Sequence, residues 1–105
     1  MKLKHYPVEK LKKEILEILS KHLNLKNYNV FFFGSRALGT GTERSDVDVG
    51  IEGLEAIPDA AWLEIKEEFN NLHTLYTVEI VDFKRVAPIF REVALRKIEP
   101  ILEPL

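Results

Sequence analysis

Residues 31–51 read FFFGSRALGTGTERSDVDVGI, and this stretch decides the fold. Its aromatic start belongs to an aromatic and β-branched run over 28–33, which is typical of a short buried strand. Its end, over 46–52, alternates acidic and apolar side chains, so a second strand is predicted with one apolar and one acidic face. The connection over 36–45 contains glycines and threonines and is predicted to be a loop, with one helical turn at its start.

Outside this stretch the pattern predicts three helices and a third strand. Apolar residues recur at helical spacing over 7–23, 58–72 and 86–99, where Pro100 ends the last helix. Residues 77–83 are predicted to form the third strand. We therefore expect one domain of the α/β (α+β) class over residues 1–105. It is a small mixed β-sheet with helices packed mainly on one face, in the order α-β-β-α-β-α.

The composition is that of a globular protein, with 46% hydrophobic and 30% charged residues among 105. No cysteine is present, which excludes disulfides and thiolate-bound zinc. No apolar run approaches the ~20 residues of a membrane helix, and no signal peptide is visible, so we expect a cytoplasmic protein without membrane contact. The net charge is −2, and no basic footprint covers the whole domain, so nucleic acid is not expected as a partner.

Charge is unevenly distributed along the chain. Residues 1–26 carry seven Lys against three Glu, whereas residues 41–70 carry nine acidic against two basic side chains. An acidic segment of this kind is either a solvated face or a site that collects metal cations. Because the segment contains the pair Asp46 and Asp48, the local arrangement of these two residues decides between the two interpretations.

Two features of the stretch carry chemistry: Gly34-Ser35 and, after ten residues, Asp46-Val47-Asp48. Carboxylates at positions i and i+2 of a strand project from one face, where they repel each other unless a cation binds both. Mg²⁺ binds carboxylate oxygens together with substrate phosphates. Gly34 allows close approach of a ligand to the backbone, and Ser35 adds a hydroxyl suited to phosphate. An Asp-x-Asp pair alone more often marks the exposed face of an edge strand, but its combination with Gly-Ser favours a phosphate and metal site.

The same residues carry a family resemblance. Gly34-Ser35, ten residues and Asp46-x-Asp48 resemble the G-S-x₁₀-D-x-D signature of nucleotidyltransferases of the DNA polymerase beta superfamily. Arg36 and Ala37 match the G-S-R-A form that is usual in the minimal nucleotidyltransferases, which are stand-alone antitoxins paired with HEPN-domain toxins. The resemblance covers nearly the whole chain and implies the nucleotidyltransferase fold.

The family has a third carboxylate, normally an aspartate, on a neighbouring strand. Glu79 and Asp82 compete for this role, and they face opposite sides of the predicted strand because three residues separate them. Glu79 falls where the family's aspartate usually lies and is favoured, whereas Asp82 fits a turn residue at the strand end. The glutamate is a departure from the family pattern, because its side chain is one methylene longer.

The resemblance implies transfer of AMP from ATP to a hydroxyl group, with pyrophosphate leaving. In the minimal branch this hydroxyl belongs to a tyrosine of the HEPN toxin, which the modification silences. The site residues that the resemblance implies are Asp46, Asp48 and Glu79 for catalysis and for two Mg²⁺ ions, and Gly34, Ser35, Arg36, Arg44 and Ser45 for the nucleotide. The two arginines fit solvated loop positions as well, and Ser45 fits a turn before the strand.

Two other functions remain consistent with the sequence. The domain could be a catalytically weak or inactive antitoxin that neutralises its partner by binding alone, which the unusual Glu79 keeps open. It could also be a nucleotidyltransferase that acts on a small molecule. Transfer of label from ATP to a partner protein, to a soluble product or to neither discriminates between the three.

Overall fold

Four strands and four helices make up the fold in the computed structural model, which describes residues 1–39, 41–42, 45–72 and 74–103. The strands are β1 (Asn29–Phe33), β2 (Val47–Glu52), β3 (Val78–Asp82) and β4 (Glu99–Leu102), and the helices are α1 (Val8–Ser20), α2 (Gly34–Leu38), α3 (Asp59–Asn70) and α4 (Pro88–Ala94). A 3₁₀ turn covers Leu25–Asn27. Within the described residues, no helix has both the length and the apolar character needed to cross a bilayer.

The strands form one mixed sheet in the order β3-β2-β1-β4. β1 pairs antiparallel with β2 and with β4, whereas β2 and β3 are parallel and are joined through α3. The predicted class, a mixed sheet with helices mainly on one face, is therefore confirmed.

One face of the sheet forms the main core together with α1 and α3. Alternate residues of the strands point into this core and are buried, and the apolar stripes of the two helices cover them: Val30, Phe32, Val47, Val49, Ile51, Val78 and Ile80 from the sheet, and Leu11, Ile15, Leu19, Ile65 and Phe69 from the helices. Burial of one such side chain stabilises the fold by about 1.5–3 kcal/mol. The strict alternation of β2 thus determines which of its faces packs into the main core.

The opposite face carries a smaller aromatic cluster and α4. Phe31, Phe33 and Phe83 are buried there and pack edge to face, with ring centroids 5.0–6.3 Å apart. Phe90 of α4 packs against the cluster, at 6.2 Å from Phe33. Arg91 holds α4 to β2 by a bidentate pair, since its Nε and Nη2 donate to the Glu52 carboxylate at 2.5 and 2.8 Å.

The C-terminal region differs from the prediction of one helix over 86–99. The helix covers only Pro88–Ala94, and Glu99–Leu102 forms the fourth strand, so the predicted order α-β-β-α-β-α lacks β4. Pro100, interpreted as a helix stop, lies within β4. Proline is tolerated there because β4 is an edge strand, where a missing N–H costs no ladder hydrogen bond on the open side. The helical turn expected after β1 is the short helix α2.

Asp82 at the end of β3 is a structural residue. Its side chain is 2% exposed and faces the same side of the sheet as Ile80, away from Glu79. The carboxylate accepts hydrogen bonds from the backbone N–H groups of Ile57 and Lys84, both at 2.9 Å, and pairs with Arg85 at 3.3 Å. It thereby fixes the loop before α3 to the end of β3, consistent with the turn role expected for it.

We expect Asp82→Ala to lower the free energy of unfolding by about 2–4 kcal/mol, because the buried N–H of Ile57 and the partly buried N–H of Lys84 would lose their acceptor and Arg85 one of its partners. Urea denaturation at pH 7 measures the change. Glu79→Ala is the matched control on the other side of the same strand, and it should change the stability by less than about 0.5 kcal/mol because Glu79 is exposed. Equal losses in the two variants would contradict this assignment.

Candidate active site

Strand pairing brings two of the predicted acids side by side. In the parallel pair of β2 and β3, Asp48 lies opposite Glu79, and in the antiparallel pair with β1 it lies opposite Phe33. Both carboxylates project from the face that carries the aromatic cluster, because their neighbours Val47, Val49 and Ile80 occupy the main core. Glu79 is exposed, whereas Asp48 is half-buried.

The electrostatics of Asp48 are unfavourable for an ionised carboxylate. The pKa of Asp48 is raised to about 6, chiefly by burial and in addition by the neighbouring carboxylates of Glu79 and Asp46. No hydrogen bond from the described residues offsets these effects. Asp48 is therefore electrostatically coupled to Asp46 and Glu79, and we refer to these three carboxylates as the acidic group.

Gly34 brings the backbone after β1 close to the carboxylate of Asp48. It directly follows β1, has a φ of +79° and starts α2. A Cβ at this position would overlap the Asp48 carboxylate oxygen Oδ2, so no other residue fits without moving Asp48. The positive φ and the close approach are both satisfied only by glycine. The Gly-Ser turn and the Asp-x-Asp strand are thus close together at Gly34 and Asp48.

Ser35 and Ser45 are brought together by the loop between α2 and β2. The Ser45 hydroxyl accepts a hydrogen bond from the Thr42 N–H at 2.9 Å, and the Ser45 N–H donates to the Thr42 carbonyl at 3.0 Å. The Gly41 N–H donates to the Ser35 carbonyl at 3.1 Å, and a Cβ on Gly41 would lie 3.0 Å from the Ser35 hydroxyl and 3.1 Å from that of Ser45. Ser45 is therefore committed to the turn before β2.

Arg36, a predicted nucleotide contact, is largely buried. Its guanidinium lies over the Tyr76 ring at 4.7 Å from the ring centroid, and its Nε donates to the Ser45 carbonyl at 3.0 Å. These contacts tie α2 to the segment that leads into β2. Arg36 thus holds the two halves of the motif together, and Arg44, the other predicted arginine, lies outside the described residues.

A cavity of about 590 Å³ opens beside the acidic group. Asp48, Glu79 and Gly34 line one part of it, and the rest is apolar except for Arg96 and Lys97. Sequence reasoning did not identify Arg96 and Lys97 as lining this cavity, because residues 86–99 were predicted to be one continuous helix. Only the pairing of β4 with β1 turns the chain after α4 back toward the site.

The donor chemistry of the acidic group fits Mg²⁺. Asp46 and Asp48 offer the carboxylate oxygens that a hard cation prefers. The pKa of Asp48 is raised because its ionised form is partly desolvated and lies near other negative charges, and a bound cation would stabilise that ionised form. Over the described ranges, no three His, Cys, Asp or Glu side chains converge closely enough to hold a metal by themselves. Mg²⁺ usually takes only one or two protein carboxylates and completes its shell with substrate phosphates and water, so a protein-only cage is not required.

Comparison with known proteins connects this geometry to a family. Residues 9–104 match the family model described as "Polymerase beta, Nucleotidyltransferase". A relative from Haemophilus influenzae, named "Probable protein adenylyltransferase MntA", is 30% identical over 95 residues, which are 89% of this chain and 82% of the relative.

Solved structures show the same fold. A structure described as a toxin–antitoxin with AMP-PNP has a TM-score of 0.68 at 16% identity, covering 87% of this chain and 72% of the other. The complex of tri-AMPylated Shewanella oneidensis HEPN toxin with MNT antitoxin gives 0.64 at 14% identity, covering 90% and 71%. A protein provisionally described as a minimal nucleotidyltransferase gives 0.66 at 28% identity, covering 92% and 98%. The chain therefore belongs to the polymerase beta nucleotidyltransferase family and is a nucleotidyltransferase that resembles its minimal members.

Proposed function

We propose that this nucleotidyltransferase transfers AMP from ATP to a tyrosine hydroxyl of a HEPN-domain toxin and thereby acts as its antitoxin. The observation that carries the proposal is the acidic group at the cavity, with Asp48 opposite Glu79 and in contact range of Gly34. The relative named as an adenylyltransferase supports the type of transfer. The structures described as a toxin–antitoxin with AMP-PNP and as an AMPylated HEPN toxin with its antitoxin support the nucleotide and the partner.

Asp46 and Asp48 would hold two Mg²⁺ ions, and Glu79 would complete the site. When bound, Mg²⁺ supplies positive charge that stabilises the charge developing on the transferred phosphoryl group and on the leaving pyrophosphate. Asp48 is already destabilised in its ionised form by burial and by like charge, so it has the most to gain from a cation. Asp46 is exposed and can reorient toward a shared ion at little cost.

The transfer needs a proton acceptor for the attacking hydroxyl. The acceptor oxygen forms a bond to the α-phosphorus, the bond from that phosphorus to the pyrophosphate oxygen breaks, and the hydroxyl proton passes to a carboxylate. We assign this role to Glu79 because it lies opposite Asp48 and is exposed on β3, an edge strand. An exposed base at the sheet edge suits an acceptor that a second protein supplies.

The residues that we assign to the nucleotide lie at the start of α2 and in the loop between α2 and β2. We assign Gly34 and Ser35 to the β- and γ-phosphates, because Gly34 lines the cavity and the Ser35 hydroxyl lies beside the Gly41 turn. Arg36 and Ser45 position this loop through their mutual hydrogen bond, and Arg44 stays a predicted phosphate contact. An ATP-dependent, Mg²⁺-dependent reaction of this kind fits the cytoplasm, which we propose as the location.

Incubation of the domain with α-labelled ATP, Mg²⁺ and the HEPN-domain protein encoded beside it tests the proposal. We expect label on the partner protein, and we expect Glu79→Gln to reduce the transfer rate about 100-fold because the proton acceptor is lost. Glu67→Gln, an exposed acid of α3, is the control and should retain the wild-type rate. Label on a soluble product would instead indicate a small-molecule acceptor, and inhibition of the toxin without label under any divalent metal would show neutralisation by binding alone.

We expect Asp48→Asn to abolish transfer and yet to stabilise the fold. The raised pKa means that the wild-type protein loses stability as pH rises from about 4 to about 6, while the asparagine variant does not. After allowance for solvent screening of a half-exposed group, the variant should gain about 1 kcal/mol at pH 7.5 and nearly nothing at pH 4.

Urea denaturation in metal-free buffer at the two pH values measures this gain. Ser20→Ala, an exposed residue at the end of α1, controls for changes unrelated to the acidic group. A destabilised Asp48→Asn protein at pH 7.5 would refute the assignment, because it would mean that Asp48 has a structural partner.

A further inference from the structure

The charged residues around the cavity fall into two opposed sets. Asp48 and Glu79 belong to the acidic group on the sheet, whereas Arg96 and Lys97 lie on the segment between α4 and β4. The remaining wall is apolar and includes Phe33 and Phe90. A cavity with carboxylates on one side and cations on the other suits a ligand that brings both metal and negative charge.

Neither Arg96 nor Lys97 forms an ion pair with another residue in the described part of the chain. Both side chains are exposed, and the ion pairs found among the described residues use other cations, such as Arg85 and Arg91. Lys97 also lines a second cleft of about 400 Å³, where Lys2 and the end of α2 adjoin the first cavity. Positive charge therefore extends from the cavity along the side of α2.

The anchoring of the segment holds both cations near the acids. On one side α4 is fixed by the bidentate pair of Arg91 with Glu52 and by the packing of Phe90 on Phe33. On the other side β4 pairs with β1, and Leu95 packs against the aromatic cluster. Only four residues, 95–98, connect these two anchored elements. Such a short connection limits how far the cations can move from the cavity.

The charge of the proposed ligand favours contact with these cations. A nucleoside triphosphate brings about −4, and the acidic group adds three further carboxylates, so two divalent cations leave a net negative charge at the site. Cationic side chains at the cavity offset part of this charge, and charge-assisted hydrogen bonds to phosphate are strong contacts. Arg36 is largely buried over Tyr76 and lines the second cleft, whereas Arg96 and Lys97 line the cavity that contains Asp48 and Glu79.

We propose that Arg96 and Lys97 bind the polyphosphate of the nucleotide in the cavity that Asp48 and Glu79 also line. The inference rests on the proposed function, since it takes the ligand to be a nucleoside triphosphate. It adds the connection between α4 and β4 to the phosphate contacts that the family resemblance implies for the loop residues.

Binding measurements on the full chain test the proposal. The double variant Arg96→Ala/Lys97→Ala is titrated calorimetrically at fixed ionic strength with Mg²⁺·ATP, Mg²⁺·tripolyphosphate and AMP. We expect the dissociation constants for ATP and tripolyphosphate to rise about 10- to 100-fold, because two charge-assisted contacts are lost, and that for AMP to change less than about 3-fold. The salt dependence of ATP binding should also weaken.

The matched control is Lys13→Ala/Lys26→Ala, which removes the same charge from exposed positions on α1 and the 3₁₀ turn. It should leave all three dissociation constants within about 2-fold, and thermal unfolding of both double variants checks that each is folded. The variant Arg96→Gln/Lys97→Gln, which keeps the polar stems, should reproduce the loss if the charges are responsible.

Three results would overturn the proposal: wild-type binding of ATP in the double variants, equal weakening for AMP and ATP, or no tripolyphosphate binding by the wild-type chain. Failure of the proposed function is distinguishable, since it would appear as absence of label on the partner protein while Mg²⁺·ATP binding and its dependence on Arg96 and Lys97 persist.

Discussion

The parallel register of β2 and β3 is the constraint on which the site depends. It sets Asp48 directly against Glu79, an arrangement that repulsion between like charges opposes. The register holds because Val47 and Val49, which flank Asp48 in β2, are fully buried in the main core. A slip by one residue would exchange the two faces of β2 and drive carboxylates into that core at far greater cost. Core packing thus maintains an unfavourable charge pair at the proposed site.

The two faces of the sheet differ in how they are covered: one is packed into the main core, and the other carries the cavity. The face under α1 and α3 supplies stability through a closely packed apolar core. The other face is only partly covered, because α4 is short and contributes no buried residue of its own, and the uncovered part is the cavity with the acidic group. Asp82 and Glu79 illustrate the division within one strand, since the first is enclosed and hydrogen-bonded and the second is exposed.

The fold and the acidic group could be predicted from sequence because the signals are local. Period two in Asp46–Glu52 fixes the faces of β2, and the aromatic run before Gly34 fixes β1. β4 was missed because four residues containing Pro100 show no alternation, and only pairing with β1 makes them a strand. The side of the site that lies on residues 95–98 was missed for the same reason.

Arg36 illustrates a different limit of sequence reasoning. Its place in the motif predicts a ligand contact, but motif spacing carries no information on the aromatic ring of Tyr76, which comes forty residues later and draws the guanidinium inward. Long-range contacts of this kind decide whether a motif residue meets the ligand or supports the loop. In this structure Arg36 supports the loop. A direct contact between Arg36 and the nucleotide stays a prediction.

The edges of the sheet have a consequence for how the molecule meets other molecules. β3 and β4 are the outer strands, and each presents an obstacle to a further strand: β4 contains Pro100, which lacks the N–H that a new strand would require, and β3 carries the charged Glu79. Extension of the sheet from one copy to the next is therefore disfavoured on both sides. β3 instead presents the exposed Glu79 side chain beside an open acidic cavity, so side-chain contacts are favoured over strand addition at this edge.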